Sequence, residues 1–146
     1  VSGVVCIATL TVDNEIVLVE QFRPPVQANV IEFPAGLAGD MAGKEHEPIV
    51  AAARRELLEE TGYEAAEIHE VFTGTSSAGL TDECITFLVA TRLKKVADGG
   101  GDESESIQVH VVPLDQAWQF IQSKVAAGVM VDSRVPTCLW LLEKNL

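Results

Sequence analysis

Residues 47–63 read EPIVAAARRELLEETGY. Residues 49–60 are good helix formers almost throughout. Pro48 suits a first helical turn, where its missing N–H costs nothing. Gly62 supplies a left-handed stop without steric penalty. The stretch therefore predicts one helix with a start, a body and an end. At roughly 100° per residue, Glu56 and Glu60 overlie one another, Glu59 stands one position round, and Arg55 lies four residues before Glu59. Ala52, Ala53 and Leu57 flank these carboxylates, so they do not stand on a fully solvated face.

Like charges at this spacing repel. One reading is a solvated acidic face relieved by Arg54 and Arg55. The other is a site for a hard cation, since clustered carboxylates suit Mg2+ or Mn2+ and become favourable once the cation is bound. Mg2+ also keeps waters and binds substrate phosphates, which points to attack on a phosphate or pyrophosphate group.

The rest of the chain sets the frame. Its 146 residues, 47% hydrophobic, suffice for one domain with a core. The net charge of -12, from 22 acidic and 10 basic residues, argues against a nucleic-acid backbone grip. It leaves room for a small anionic substrate helped by local arginines or cations. Cys6, Cys84 and Cys138 match no zinc spacing, and an odd count suits a reduced protein. No apolar run reaches about 18 residues, and no basic stretch followed by an apolar one opens the chain. The expectation is a cytoplasmic protein without membrane contact.

Strands are predicted at 4–12, 16–22, 29–34, 67–75, 83–93 and 107–114, with a turn at 13–15. Residues 24 and 25 are prolines and break the second strand. Residues 35–47 read as loop. Two further helices are predicted at 114–128 and 133–146, with Trp118 and Trp140 at apolar positions expected in the core, as are Cys6 and Cys84. The pattern gives an α/β domain, a curled mixed β-sheet covered by helices.

The helix stretch resembles the Nudix box, G-x5-E-x7-R-E-U-x-E-E-x-G-U, where U is bulky and aliphatic. Glu47, Arg55, Glu56, Leu57, Glu59, Glu60 and Gly62 match position by position, and Tyr63 stands at the last bulky position. Met41 departs from the pattern, which has glycine there; Gly36 of IEFPAG (31–36) lies further upstream. The segments EQFRPPV (20–26), IEFPAG, SAGLTDE (77–83) and DESESIQVHVV (102–112) are similar to bacterial ADP-ribose pyrophosphatases.

This resemblance implies a Nudix fold and Mg2+-dependent hydrolysis of a nucleoside diphosphate derivative, with Mn2+ as a substitute. ADP-ribose is the first substrate expected. Ala78, where these enzymes carry proline, makes GDP-mannose, another sugar nucleotide or a nucleoside triphosphate competing readings, and a non-catalytic nucleotide-binding regulator a further one. The resemblance makes Glu56 and Glu60 principal metal ligands, with Glu59, Glu105 and the Ala35 backbone as further ones. Arg55 orients a carboxylate, Glu59 first. Glu103 takes a proton from the attacking water, although Glu103 and Glu105 can exchange roles. Arg23, Glu32, Phe33, Ala78 and Gly79 are substrate-site candidates. Each also has a plain reading: charge neutralisation for Arg23, edge-strand solubility for Glu32, and core for Phe33, which is the favoured one. The acidic loop 98–106 is a flexible linker on composition alone, or a loop whose glycines let it close over substrate. The expected organisation is one Nudix domain over 1–146 without the N-terminal β subdomain that related enzymes swap, and a homodimer through other surfaces.

Overall fold

The computed structural model describes residues 3–38, 47–102 and 104–144. The elements run β1 (Gly3–Thr11), β2 (Glu15–Arg23), β3 (Ala28–Glu32), β4 (Ala35–Ala38), α1 (Ile49–Thr61), β5 (Tyr63–Thr75), β6 (Cys84–Lys95), β7 (Gln108–Pro113), α2 (Ala117–Ala126), β8 (Met130–Val131) and α3 (Arg134–Glu143). Short 3-10 turns fill Pro24–Val26 and Leu114–Gln116.

The strands form a mixed sheet in the order β5-β6-β1-β2-β3-β8, with β4 also on β1 and β7 also on β2. The β1–β6 and β3–β8 pairs are parallel and the others antiparallel. β1 and β2 pair at Leu10↔Ile16, near their hairpin. Beyond that point β1 turns to β4 while β2 turns to β3 and β7. The sheet thus splits into two halves. The chain crosses from one half to the other at residues 32–35, where the Ile7 N–H donates to the Pro34 carbonyl at 2.9 Å.

β1 and the middle of β2 are buried on both faces, as their near-continuous apolar runs require. Successive side chains point to opposite faces. Cys6, Ala8 and Leu18 share one core with Val135, Cys138 and Leu142 of α3 and Ile121 of α2. Val5, Ile7 and Val17 share the other with Ala52, Ala53 and Leu57 of α1. Helices therefore cover both faces, as the α/β reading expects. Fully buried side chains such as Ile7, Leu18 and Leu57 each contribute about 1.5–3 kcal/mol.

Some expectations are corrected. β4 lies within the stretch read as loop, and β8 was not foreseen; both are too short to show alternation. β5 begins at Tyr63, directly after the Gly62 stop, rather than at residue 67. Trp118 and Trp140 are 59% and 53% exposed, so neither is core. α2 buries Ala117 and Ile121, four residues apart, and Trp118 falls one position off that face; α3 likewise faces the sheet with Val135, Cys138, Leu139 and Leu142. Cys84 is half-buried at the start of β6, whereas Cys6 and Cys138 are core, with sulfurs 3.7 Å apart. Among the described residues no helix is long and apolar enough to cross a membrane.

Candidate active site

A cleft of about 660 Å³ opens at the splayed end of the sheet, where β1 and β2 part. Val4 and Gln21 come from those strand ends. The crossing between the sheet halves contributes Glu32, Ala35 and Gly36, α1 contributes Glu56 and Glu60, and the acidic loop contributes Glu105.

α1 is built as its sequence requires. The Pro48 carbonyl accepts from the Ala52 N–H, and Gly62 ends the helix at φ 77°, its N–H donating to the Leu58 carbonyl at 2.9 Å. This fixes the last two turns, which carry the carboxylates. Glu60 is only 4% exposed. Burial pushes its carboxyl up to about 9, and the charge of Glu56 pushes the same way. The Ala35 N–H, donating to Glu60 Oε2 at 3.3 Å, pulls in the other direction, while Glu105 and Glu32 raise the pKa further.

Arg55 does not chiefly hold Glu59. Its Nε and Nη2 form a fork on the two oxygens of Glu47, both at 3.1 Å, and its Nη1 donates to Glu56 Oε1 at 3.0 Å. Glu59 lies at 3.6 Å, an ion-pair distance. The Glu47 side chain is nearly buried and accepts two hydrogen bonds from the guanidinium; Glu59 is half exposed and lies further off. These carboxylates hold the Arg55 guanidinium firmly protonated, the Glu47 hydrogen bonds being the largest cause.

Gly36 explains itself here. A methyl group at this position would overlap the Glu56 carboxylate. Gly36→Ala is therefore expected to swing Glu56 off Arg55 and out of place. The obstacle is the end of a flexible side chain, so melting should shift by less than about 4 °C. Turnover should fall about 100-fold, since an ångström of misplacement has that cost. A thermal melt and a rate measurement on the same preparation check both.

Arg23 grips Glu32 with two bonds, Nε at 2.9 Å and Nη2 at 3.1 Å. Glu32 is buried rather than an edge-strand solubility residue. Both line the cleft. Phe33 does not: at 2% exposure it belongs to the core, because the crossing points its ring away from the cleft. Ala78 and Gly79 sit on an exposed turn closed by the Leu80 N–H to the Ser77 carbonyl, outside the cleft lining; Glu83 of the same segment reaches it instead. Glu59 also lies outside the lining. Glu103, Met41 and His46 lie outside the described residues. His110 is engaged elsewhere, its Nε2 2.9 Å from the buried Glu20, which also receives Lys124 and Asn29 and so ties α2 to the sheet.

The sequence reading missed Asp132 and Arg134, which also line the cleft. Asp132 Oδ1 accepts from the Arg134 N–H at 2.8 Å and pairs with its Nε at 3.1 Å. That leaves the outer guanidinium nitrogens without a hydrogen-bond partner among the described residues. A Asp-x-Arg step ahead of a helix carries no signal by itself; only the parallel β3–β8 pairing brings it beside Arg23 and Glu32.

Could these residues hold a divalent cation? Among the described residues no three carboxylate, imidazole or thiol groups form a ready-made cage. Mg2+ does not need one, since it keeps waters and uses one or two carboxylates together with substrate phosphates. The donors at hand are oxygens: Glu56, Glu60, Glu105 and the Ala35 carbonyl. Burial first, and the neighbouring carboxylates after it, raise the Glu60 carboxyl. The donor set fits a hard cation.

Comparison with known proteins gives one answer. The chain is 38% identical over 123 residues to a methanol dehydrogenase activator of Bacillus methanolicus, spanning 84% of this chain and 64% of that one. It is 32% identical over 123 residues to an ADP-ribose pyrophosphatase of Bacillus subtilis, with the same coverage. It is 33% identical over 138 residues to a GDP-mannose pyrophosphatase of Klebsiella pneumoniae, spanning 89% of this chain and 65% of that one. The chain thus spans a little under two thirds of the length of these relatives. A crystal structure of an ADP compounds hydrolase superposes with a TM-score of 0.75 over 99% of this chain and 72% of the other, at 20% identity, which speaks for the fold. The NUDIX domain profile matches residues 2–132, and with the carboxylate helix, the Arg55 fork and the split sheet in place, the chain belongs to the Nudix family.

Proposed function

We propose that this protein hydrolyses the pyrophosphate bond of a nucleoside diphosphate derivative with the help of Mg2+, or Mn2+ in its place. The observation that carries this reading is the buried Glu60, beside Glu56 and Glu105 in a cleft that also holds Arg23 and Arg134. Glu56, Glu60, Glu105 and the Ala35 carbonyl would hold the cation, with Glu59 as a further ligand. When bound, the cation neutralises charge on the phosphoryl oxygens and lowers the pKa of a coordinated water.

The chain's own residues do the rest. Arg55 fixes the rotamer of Glu56 and shares its charge with Glu47. The Ala35 N–H steadies Glu60. Arg134, and Arg23 where it can share its fork with Glu32, orient the phosphates or the sugar beyond them. A loop carboxylate, assigned to Glu103 by the family likeness, accepts the proton of the attacking water. The water oxygen bonds to phosphorus, the bridging P–O bond breaks, and both products leave as phosphate monoesters.

ADP-ribose, giving AMP and ribose 5-phosphate, stands first among substrates. GDP-mannose is the second reading, favoured by relatives of that name at equal similarity. Ala78 does not choose between them, since it lies off the cleft. A competition assay with ADP-ribose, GDP-mannose, other sugar nucleotides and nucleoside triphosphates in one Mg2+ mixture tests this by mass spectrometry. Preferential loss of ADP-ribose is the expected result. Preferential loss of GDP-mannose replaces the substrate and keeps the chemistry; loss of none overturns both.

A further inference from the structure

The glycines of the acidic loop are tied to backbone, where composition alone suggests a free linker. Gly99, Gly100 and Gly101 all have positive φ, at 73°, 98° and 82°. Only glycine adopts three such conformations in a row at little cost. The run lies against the C-terminal turn of α1. The Gly100 N–H donates to the Glu60 carbonyl and the Gly101 N–H to the Glu59 carbonyl, each at 2.9 Å. The Val96 and Ala97 N–H groups both donate to the Gly62 carbonyl. A side chain on Gly99 would run into the backbone of Thr61 and Gly62. One on Gly101 would overlap the Glu105 carboxylate and crowd its Cβ. Glu105 Oε2 in turn accepts from the Asp102 N–H at 3.1 Å.

We propose that this glycine run positions the reaction centre, locking the carboxylates of α1 and Glu105 into one rigid body through the backbone of Glu59 and Glu60. The inference rests on the cation-dependent hydrolase reading for its consequence, and on the backbone contacts for its geometry. The last carbonyls of a helix carry partial negative charge. Here they lie next to an acidic cluster, and the glycine amides satisfy them with backbone alone. A side chain at Gly99 would hold the loop off the helix, and one at Gly101 would push Glu105 from its place. The residues act through Glu59, Glu60 and Glu105, so they are positioning residues.

The test compares Gly101→Ala with Gly128→Ala. Gly128 has a similar positive φ, 87°, but open space around it, so it controls for strain. Turnover of the preferred substrate, the Mg2+ dependence of the rate and Mn2+ affinity by electron paramagnetic resonance are measured on both. Gly101→Ala is expected to lower kcat about 100-fold with KM within about three-fold, and to weaken Mn2+ binding about ten-fold. Gly128→Ala should match the wild type in all three. Gly99→Ala, which meets backbone, is the harsher variant; if it fails to fold, Gly101→Ala still decides. Wild-type kcat and Mn2+ affinity in Gly101→Ala overturn the proposal. A wild-type protein that binds Mn2+ yet hydrolyses nothing overturns the hydrolase reading, and the Mn2+ affinities of the two variants still judge the glycine run.

Discussion

Replacing Glu60 by glutamine is expected to lower turnover about a thousand-fold without unfolding the protein. A cation at a phosphoryl group supplies several kcal/mol of transition-state stabilisation, and each 1.36 kcal/mol is a factor of about ten. Glutamine keeps the shape and still accepts the Ala35 N–H, but it brings no charge to hold the cation. The loss should appear in kcat, and excess Mg2+ should not restore it. Steady-state rates across a Mg2+ series decide the matter. A fully active E60Q enzyme would remove Glu60 from the chemistry.

The second large effect is on stability, and its sign runs against intuition. Glu60 is raised in the folded protein from 4.5 to about 9. At low pH the carboxyl is protonated in both folded and unfolded chains. As pH rises above the unfolded value, the unfolded chain ionises while the folded one keeps its proton. Folding stability from this group therefore falls by about 1.4 kcal/mol per pH unit until the folded carboxyl ionises near 9. The metal-free E60Q variant should escape this loss. Its melting temperature should equal that of the wild type near about pH 5 and exceed it by on the order of 10 °C at about pH 8. Mg2+ should close the gap from the wild-type side, because it binds the ionised carboxylate. Melting curves of both proteins, with EDTA and with Mg2+, test this; parallel pH profiles for the two metal-free proteins contradict it.

Much of this arrangement was legible in the residues, and the reasons differ from element to element. α1 could be read from end to end because Pro48, a run of mostly good helix formers and Gly62 each act locally. The choice between a solvated acidic face and a cation site could not be made on the wheel, since helical spacing does not reveal burial. The structure separates the carboxylates: Glu60 is buried, Glu56 is held by Arg55, and Glu59 stands half in solvent. Arg55 does reach Glu59, at 3.6 Å, but i,i+4 proximity is only one offer among several. Glu47, outside the helix, made a better one. Arg134 was invisible because its place depends on strand pairing between residues a hundred positions apart. The glycine run misled in the opposite way. Composition suggested freedom, whereas its positive φ angles serve close backbone contact.

On this reading a cation completes the charge pattern of these carboxylates and so opens a pyrophosphate bond. Phosphorus NMR of ADP-ribose with the purified protein tests it in one tube. The expected result is no change in EDTA, then loss of the pyrophosphate signals and growth of two phosphate monoester signals once Mg2+ is in excess. Hydrolysis that proceeds in EDTA, or unchanged pyrophosphate signals under saturating Mg2+ for every sugar nucleotide supplied, would contradict it.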